Sequence, residues 1–166
     1  GNIAWSTYPD EWNFAYLYAY DLWITTMKTV QQANMEGNLI RSHMAKMMVN
    51  YSIKVLNKYP DTSLTCAFDD IDTQTTELKN YIKRACQLGL MGQGITHFDP
   101  NGEVTRAQFG TVLSRTLYNN QYDSWTPYYA NHLNALKTKW IITNIEPTLK
   151  EIRAYVMLML MRAATN

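Results

Sequence analysis

The chain has 166 residues, 46% of them hydrophobic, and a formal net charge of +1. That length and apolar content fit one domain with its own core. The 15 Lys and Arg are spread along the chain, which argues against the basic footprint of a nucleic-acid or anionic-membrane binder. The longest apolar run, Tyr155 to Met161, falls far short of the roughly 18 to 20 residues of a membrane helix, so no membrane insertion is expected.

Taken in order, the chain first offers a helix capped near Asp10 and running to about Asp21, with Trp12, Tyr16 and Ala19 on one face. A second helical pattern, LIRSHMAKMMVNY, begins at Leu39. The segment FDDID then supplies Asp70 or Asp72, followed by the pair Thr75 and Thr76, as N-cap candidates for a helix from Glu77 to Leu88. After the turn GLMGQG and the loop FDPNGE, Thr105 and Gln108 have capping-box spacing. Phe109, Val112, Leu113 and Leu117 form the apolar stripe of the helix they open. The turn-rich QYDSWTP leads into NHLNALKTKW, Pro147 stops the next loop, and EIRAYVMLMLMRA closes the chain. No segment alternates with period two, so any strands are expected to be short.

These elements repeat. Arg41, Arg106 and Arg153 fall in register, each followed by a small residue (Ser42, Ala107, Ala154) and an amphipathic or wholly apolar run. Upstream, aligning Trp23, Gly89 and Trp140 brings Ile24, Leu90 and Ile141 together as the first apolar residues after a helix. The unit is helix, turn, irregular loop and Arg helix, present over 1–59, 60–122 and 123–166. A unit of this size buries its apolar face only by stacking on its copies.

Two cysteines lie in the second unit. Cys66 is in its opening loop and Cys86 on its first helix, beside Ala85. They are either two buried thiols or, as we expect, a bridge stapling loop to helix, which would place the protein outside the cytoplasm. The chain opens at Gly1 without Met and shows no signal peptide, as expected of a mature product or an excised part of a longer protein.

The second unit, FDDIDTQTTELKNYIKRACQLGLMGQGITHFDPNGEVTRAQFGTVLSRTLY, resembles an S-layer homology repeat from end to end, and the first and third units resemble it more loosely. The resemblance implies an all-α, pseudo-threefold bundle shaped as a three-pronged spindle, a single domain of three repeats with grooves between neighbours. It implies a non-catalytic module that binds anionic, often pyruvylated, cell-wall polysaccharide and holds an S-layer or other surface protein on the bacterial envelope. By motif position, Arg41, Arg106 and Arg153 become the groove arginines that meet the anionic group. An Arg at a helix start carries a planar five-donor fork beside free backbone N–H groups, which together suit a carboxylate. Arg106, in the unit that keeps most of the motif, is expected to matter most for binding. As an exposed helix-start residue it is expected to matter little for stability.

The chain departs from the family pattern. His43, Gln108 and Tyr155 stand where the motif carries an acid, Ser42 replaces Ala, and Ile precedes the Arg in the first and third units. Trp23 and Trp140 occupy a turn position held by Gly89 in the second unit, either as core plugs or as ligand-binding platforms for a sugar ring. Arg115 and Arg162, nine residues after the motif Arg, read as solvated surface.

No other chemistry stands out. The run DPNGE lacks the ligand spacing of a calcium loop, and His43, His97 and His132 have no metal-ligand spacing. No cofactor, metal site, nucleophile elbow or carboxylate pair is expected, so a wall-active hydrolase is the weakest reading. The alternative to glycan anchoring is an assembly module that has lost glycan binding and packs against other surface-protein subunits.

Overall fold

A computed structural model describes residues 1–165 as six helices and, among them, no strand: α1 (Asp10–Asp21), α2 (Arg41–Lys54), α3 (Thr76–Gln87), α4 (Arg106–Tyr118), α5 (Ala130–Thr138) and α6 (Arg153–Ala164). The fold is all-α. Among the described residues the extended segments meet as isolated bridges, Asn2 to Thr29 in parallel and Asn38 to Ile152, Ile40 to Glu103 and Thr105 to Lys150 antiparallel.

Local chemistry accounts for the helix boundaries. Thr105 and Gln108 close the capping box at α4 in both directions. At α3 the cap is Thr75, whose Oγ1 accepts from the Leu78 amide. Asp70 serves a different end, since its carboxylate accepts from the amides of Phe98 and Asp99 and so closes the loop across the unit. At α1 no side chain caps; Pro9 precedes the helix, and Asp10 and Glu11 in the first turn complement its dipole. The first helices of all three units end in one motif. Ile24, Leu90 and Ile141 donate to Ala19, Ala85 and Leu136, while Trp23, Gly89 and Trp140 donate to Tyr20, Cys86 and Lys137. These are the paired bonds of a Schellman cap, which requires a left-handed residue. Trp23 (φ 62°), Gly89 (φ 76°) and Trp140 (φ 62°) supply it.

The units are tied to one another by their backbones. Leu39 donates to Glu151 at 2.8 Å, Glu151 to Val104 at 2.9 Å, and Val104 to Leu39 at 3.1 Å, closing a ring through three positions that are in register in the repeats. Around that ring the amides of Arg41, Arg106 and Arg153 donate to Gly102, Leu149 and Gly37. The next amides, those of Ser42, Ala107 and Ala154, donate to Pro100, Pro147 and Met35. Helix packing follows the same cycle, with α2 against α3, α4 against α5 and α6 against α1. Each unit therefore buries its Arg helix against the first helix of the next, and α6 lies so deep that Val156 through Leu160 are all buried. Cys66 and Cys86 are joined in a disulfide, Cα to Cα 5.9 Å, across the opening of the second unit.

Candidate functional site

The ring fixes where the motif arginines can point. Their own amides and those of the following residues are spent on the neighbouring loop, so the free N–H groups expected beside each guanidinium are not free. What remains available is the side chain, and the three side chains meet different fates.

Arg106 is 4% exposed and Glu151 0%. Its Nε and Nη2 donate to the two Glu151 oxygens at 2.7 and 2.9 Å, Nη1 donates to the Asn144 carbonyl, and the guanidinium lies 5.6 Å from the centre of the Tyr155 ring. Burial pushes the Glu151 carboxyl up, against the pull of Arg106. The expectation of an exposed Arg106 that presents its fork to a ligand is thereby corrected: the fork is filled by a carboxylate of the protein itself. Glu151 is in register with Leu39 and Val104, and an acid in an otherwise apolar central position was the available sign of its buried partner.

Arg41 donates through Nε to the Phe98 carbonyl at 2.8 Å, with its guanidinium 5.0 Å from the Phe98 ring centre. Burial lowers its pKa, while the charges of Asp99 and Asp70 act the other way.

Arg153 is the least neutralised. Nε donates to Ala33 O at 2.9 Å and Nη1 to His43 Nδ1 at 3.1 Å. Among the described residues no carboxylate pairs with it. Because a guanidinium only donates, His43 must accept on Nδ1 and carry its proton on Nε2. Burial, then the charges of Arg153 and Lys46, lowers the His43 pKa and keeps the ring neutral. Arg153, His43 and Lys46 line a cavity of about 240 Å³ together with Ile24 to Met27 and Thr75, Glu77 and Leu78 at the start of α3. Lys46 pairs with Glu77 at 2.9 Å and donates to Thr26 Oγ1 at 3.3 Å. Arg153 and Lys46, offset in part by Glu77, leave this space net positive beside a helix N-terminus, which favours an anion by charge and by dipole.

A second cavity of about 240 Å³ has the same register. Arg106 and Tyr155 take the places of Arg153 and His43, Ile142 to Asn144 form the turn, and Glu11 and Trp12 are the helix start. Here the Arg is spent on Glu151, and Arg162 bonds Glu11, so the site is close to electrically balanced. Arg162 is therefore a half-buried pairing residue, whereas Arg115 is solvated surface as expected and also holds Asp123 at 2.8 Å.

The tryptophans are not core plugs: Trp23 is 60% and Trp140 78% exposed. A bulky residue held at left-handed φ costs on the order of 1 to 3 kcal/mol, and Gly89 shows that the turn forms without a side chain. Lys54 Nζ lies 4.9 Å from the Trp23 ring centre, and Asn50 Nδ2 donates to Trp23 O at 2.9 Å.

Spacing pointed to no metal site, yet the fold brings Asp69, Asp70 and His97 together with ligand-type atoms within 4.8 Å of one another. Both Asp70 oxygens accept loop amides and His97 Nδ1 pairs with Asp69 at 2.5 Å, so the cluster is accounted for as loop structure. His132 is fully buried between Ser114 Oγ at 2.7 Å and Asp123 at 2.8 Å, a structural role. No protein-family model matches the chain, and no curated protein matches it.

Proposed function

We propose that this chain is a three-repeat S-layer homology domain, a pseudo-threefold spindle whose three units are those read from the sequence. In this reading it is a non-catalytic module that binds anionic cell-wall polysaccharide and anchors a surface protein to the outside of a bacterial envelope. The observation that carries the reading is the cationic groove between α2, α3 and α6, where Arg153 has no carboxylate partner among the described residues and faces a cavity with His43 and Lys46. The cyclic hydrogen bonding of three in-register segments supports the repeat assignment. Within the proposal Arg153 is the principal anion clamp, Arg41 a weaker one shadowed by Asp70 and Asp99, and Arg106 a structural residue.

A charge-assisted contact contributes about 1.5 to 3 kcal/mol. Arg153→Gln is therefore expected to weaken retention on purified cell-wall sacculi by roughly ten- to a hundredfold, with melting little changed. Retention equal to that of the parent, or the absence of competition by free anionic polymer, would sink the proposal. The second reading, an assembly module, is favoured by the closure of the Arg106 groove and by the near-complete exposure of Trp5 and Trp125. It predicts concentration-dependent self-association that anionic polymer leaves untouched.

A further inference from the structure

We propose that the turn after α1 carries a second saccharide subsite, a neutral-sugar platform centred on Trp23 that continues the cationic groove. This chain then recognises an acidic sugar followed by a neutral one, and not an isolated anionic group. The inference rests on the glycan reading above and specifies the ligand that the groove takes.

A cavity of about 430 Å³ lies beside the turn, lined by Tyr20, Asp21, Trp23, Thr25, Thr26 and Lys28. Thr25 and Thr26 also line the groove of Arg153, His43 and Lys46, so the two spaces share a wall. A pyranose has a flat face of C–H groups and a rim of hydroxyls, and it needs an aromatic surface edged by donors and acceptors. Trp23 and Tyr20 provide the surface, and Asp21, Lys28 and the two threonines the edge. Asp21 and Lys28, the charged residues that line the space, are of opposite sign, and Lys54 sits over the indole without lining it, so the space suits a neutral sugar and not a second anion.

The platform is preorganised. The Trp23 amide and carbonyl are both bonded, to Tyr20 and Asn50. Lys54 stands over the ring, and among the described residues no other ring stacks on it. The left-handed turn needs no indole, as Gly89 shows, so the fold alone does not account for a strained tryptophan whose surface stands in solvent. Trp140 shares the turn but belongs to the groove whose Arg is filled by Glu151, so no acid anchor adjoins it.

The test is calorimetric titration of the whole chain with fragments of a pyruvylated cell-wall polysaccharide: the terminal acidic monosaccharide, and the disaccharide that extends it by a neutral sugar. The parent should bind the disaccharide roughly tenfold more tightly, the scale of one aromatic stacking contact. Trp23→Gly, which leaves the turn as the second unit already makes it, should keep the monosaccharide affinity and lose the increment. Trp23→Tyr should keep most of the increment, Trp140→Gly all of it, and Arg153→Gln should lose both ligands. A Trp23→Gly chain that retains the increment overturns the platform while leaving the acid anchor standing. A parent that does not bind the monosaccharide brings down the glycan reading and the subsite with it.

Discussion

Replacing Arg106 by Ala would leave Glu151, a fully buried carboxyl in the central backbone ring, without its partner. Removing one member of a buried, bidentate pair typically costs about 3 to 5 kcal/mol, because the survivor keeps its desolvation penalty and loses its compensation. For a chain of this size each kcal/mol moves the midpoint by about 2 to 4 °C, so the loss corresponds to roughly 6 to 20 °C. Burial already pushes the Glu151 carboxyl up; without Arg106 it would protonate rather than stay charged, which favours the lower half of that range. Glu151→Leu combined with Arg106→Met should recover most of the loss, since Leu39 and Val104 occupy the ring positions in register with Glu151 without a charge. Thermal melts by circular dichroism, with urea titrations to check two-state behaviour, measure both variants. A midpoint shift under about 2 °C for Arg106→Ala would refute the buried pair, and with it the assignment of Arg106 as structural.

Two further outcomes can be measured on the same material. Reduction of the Cys66 to Cys86 bridge, which spans a sequence separation of 20, should cost about 3 kcal/mol by the chain-entropy estimate, a midpoint fall of roughly 6 to 12 °C; equal melts with and without reductant would contradict it. His43 is held below its ordinary pKa by burial and by Arg153 and Lys46, with Glu77 the one acid at the cavity edge. A carboxylate bound beside His43 would oppose that depression, so groove affinity is expected to rise as pH falls toward the lowered pKa of His43, by up to about tenfold per pH unit. The same depression makes the contribution of His43 to stability complete above about pH 6.5 and lost as pH falls through its folded pKa. In His43→Gln the pH dependence of binding should flatten, and a profile identical to the parent's would remove His43 from the site.

The repeats and the caps made much of the helical skeleton legible. Thr105 and Gln108 form the capping box that their spacing calls for, and the turn position that the alignment shares among Trp23, Gly89 and Trp140 is left-handed in all three, an unexpected conformation for the two tryptophans. The helix that the sequence places at Glu77 begins one residue earlier, and of the four cap candidates it is Thr75 that makes the cap. Asp70 resembles a cap when judged from its neighbours in sequence, whereas its partners lie across the loop at Phe98 and Asp99. For the same reason a helix-start amide reads in sequence as available to a ligand, although Gly102, Leu149 and Gly37 of other segments accept the Arg amides. Inter-unit bonds leave no local signature. The exposure of Trp23 and Trp140 was equally open, since an indole at that turn serves a core or a surface depending on the helix that packs beside it.

One register position explains why three arginines in register have three different surroundings. The Arg106 amide reaches Leu149, two residues before Glu151; the Arg41 amide reaches Gly102, two before Val104; and the Arg153 amide reaches Gly37, two before Leu39. Each arginine is thus anchored beside one member of the central ring, and the backbone anchoring is the same in all three. The identity of that member then divides the roles. Glu151 captures the Arg106 fork and turns it inward, where it contributes to folding and is withdrawn from the groove. Val104 and Leu39 offer no charge, so Arg41 and Arg153 settle for single Nε bonds to carbonyls. Of these two, Arg41 still feels Asp70 and Asp99, while Arg153 meets only a neutral imidazole. An arginine that completes the fold and one that remains open to an anion are therefore separated by the residue two positions before the next helix, and in this chain Arg153 keeps its fork open because Leu39 stands where a second acid would have closed the groove.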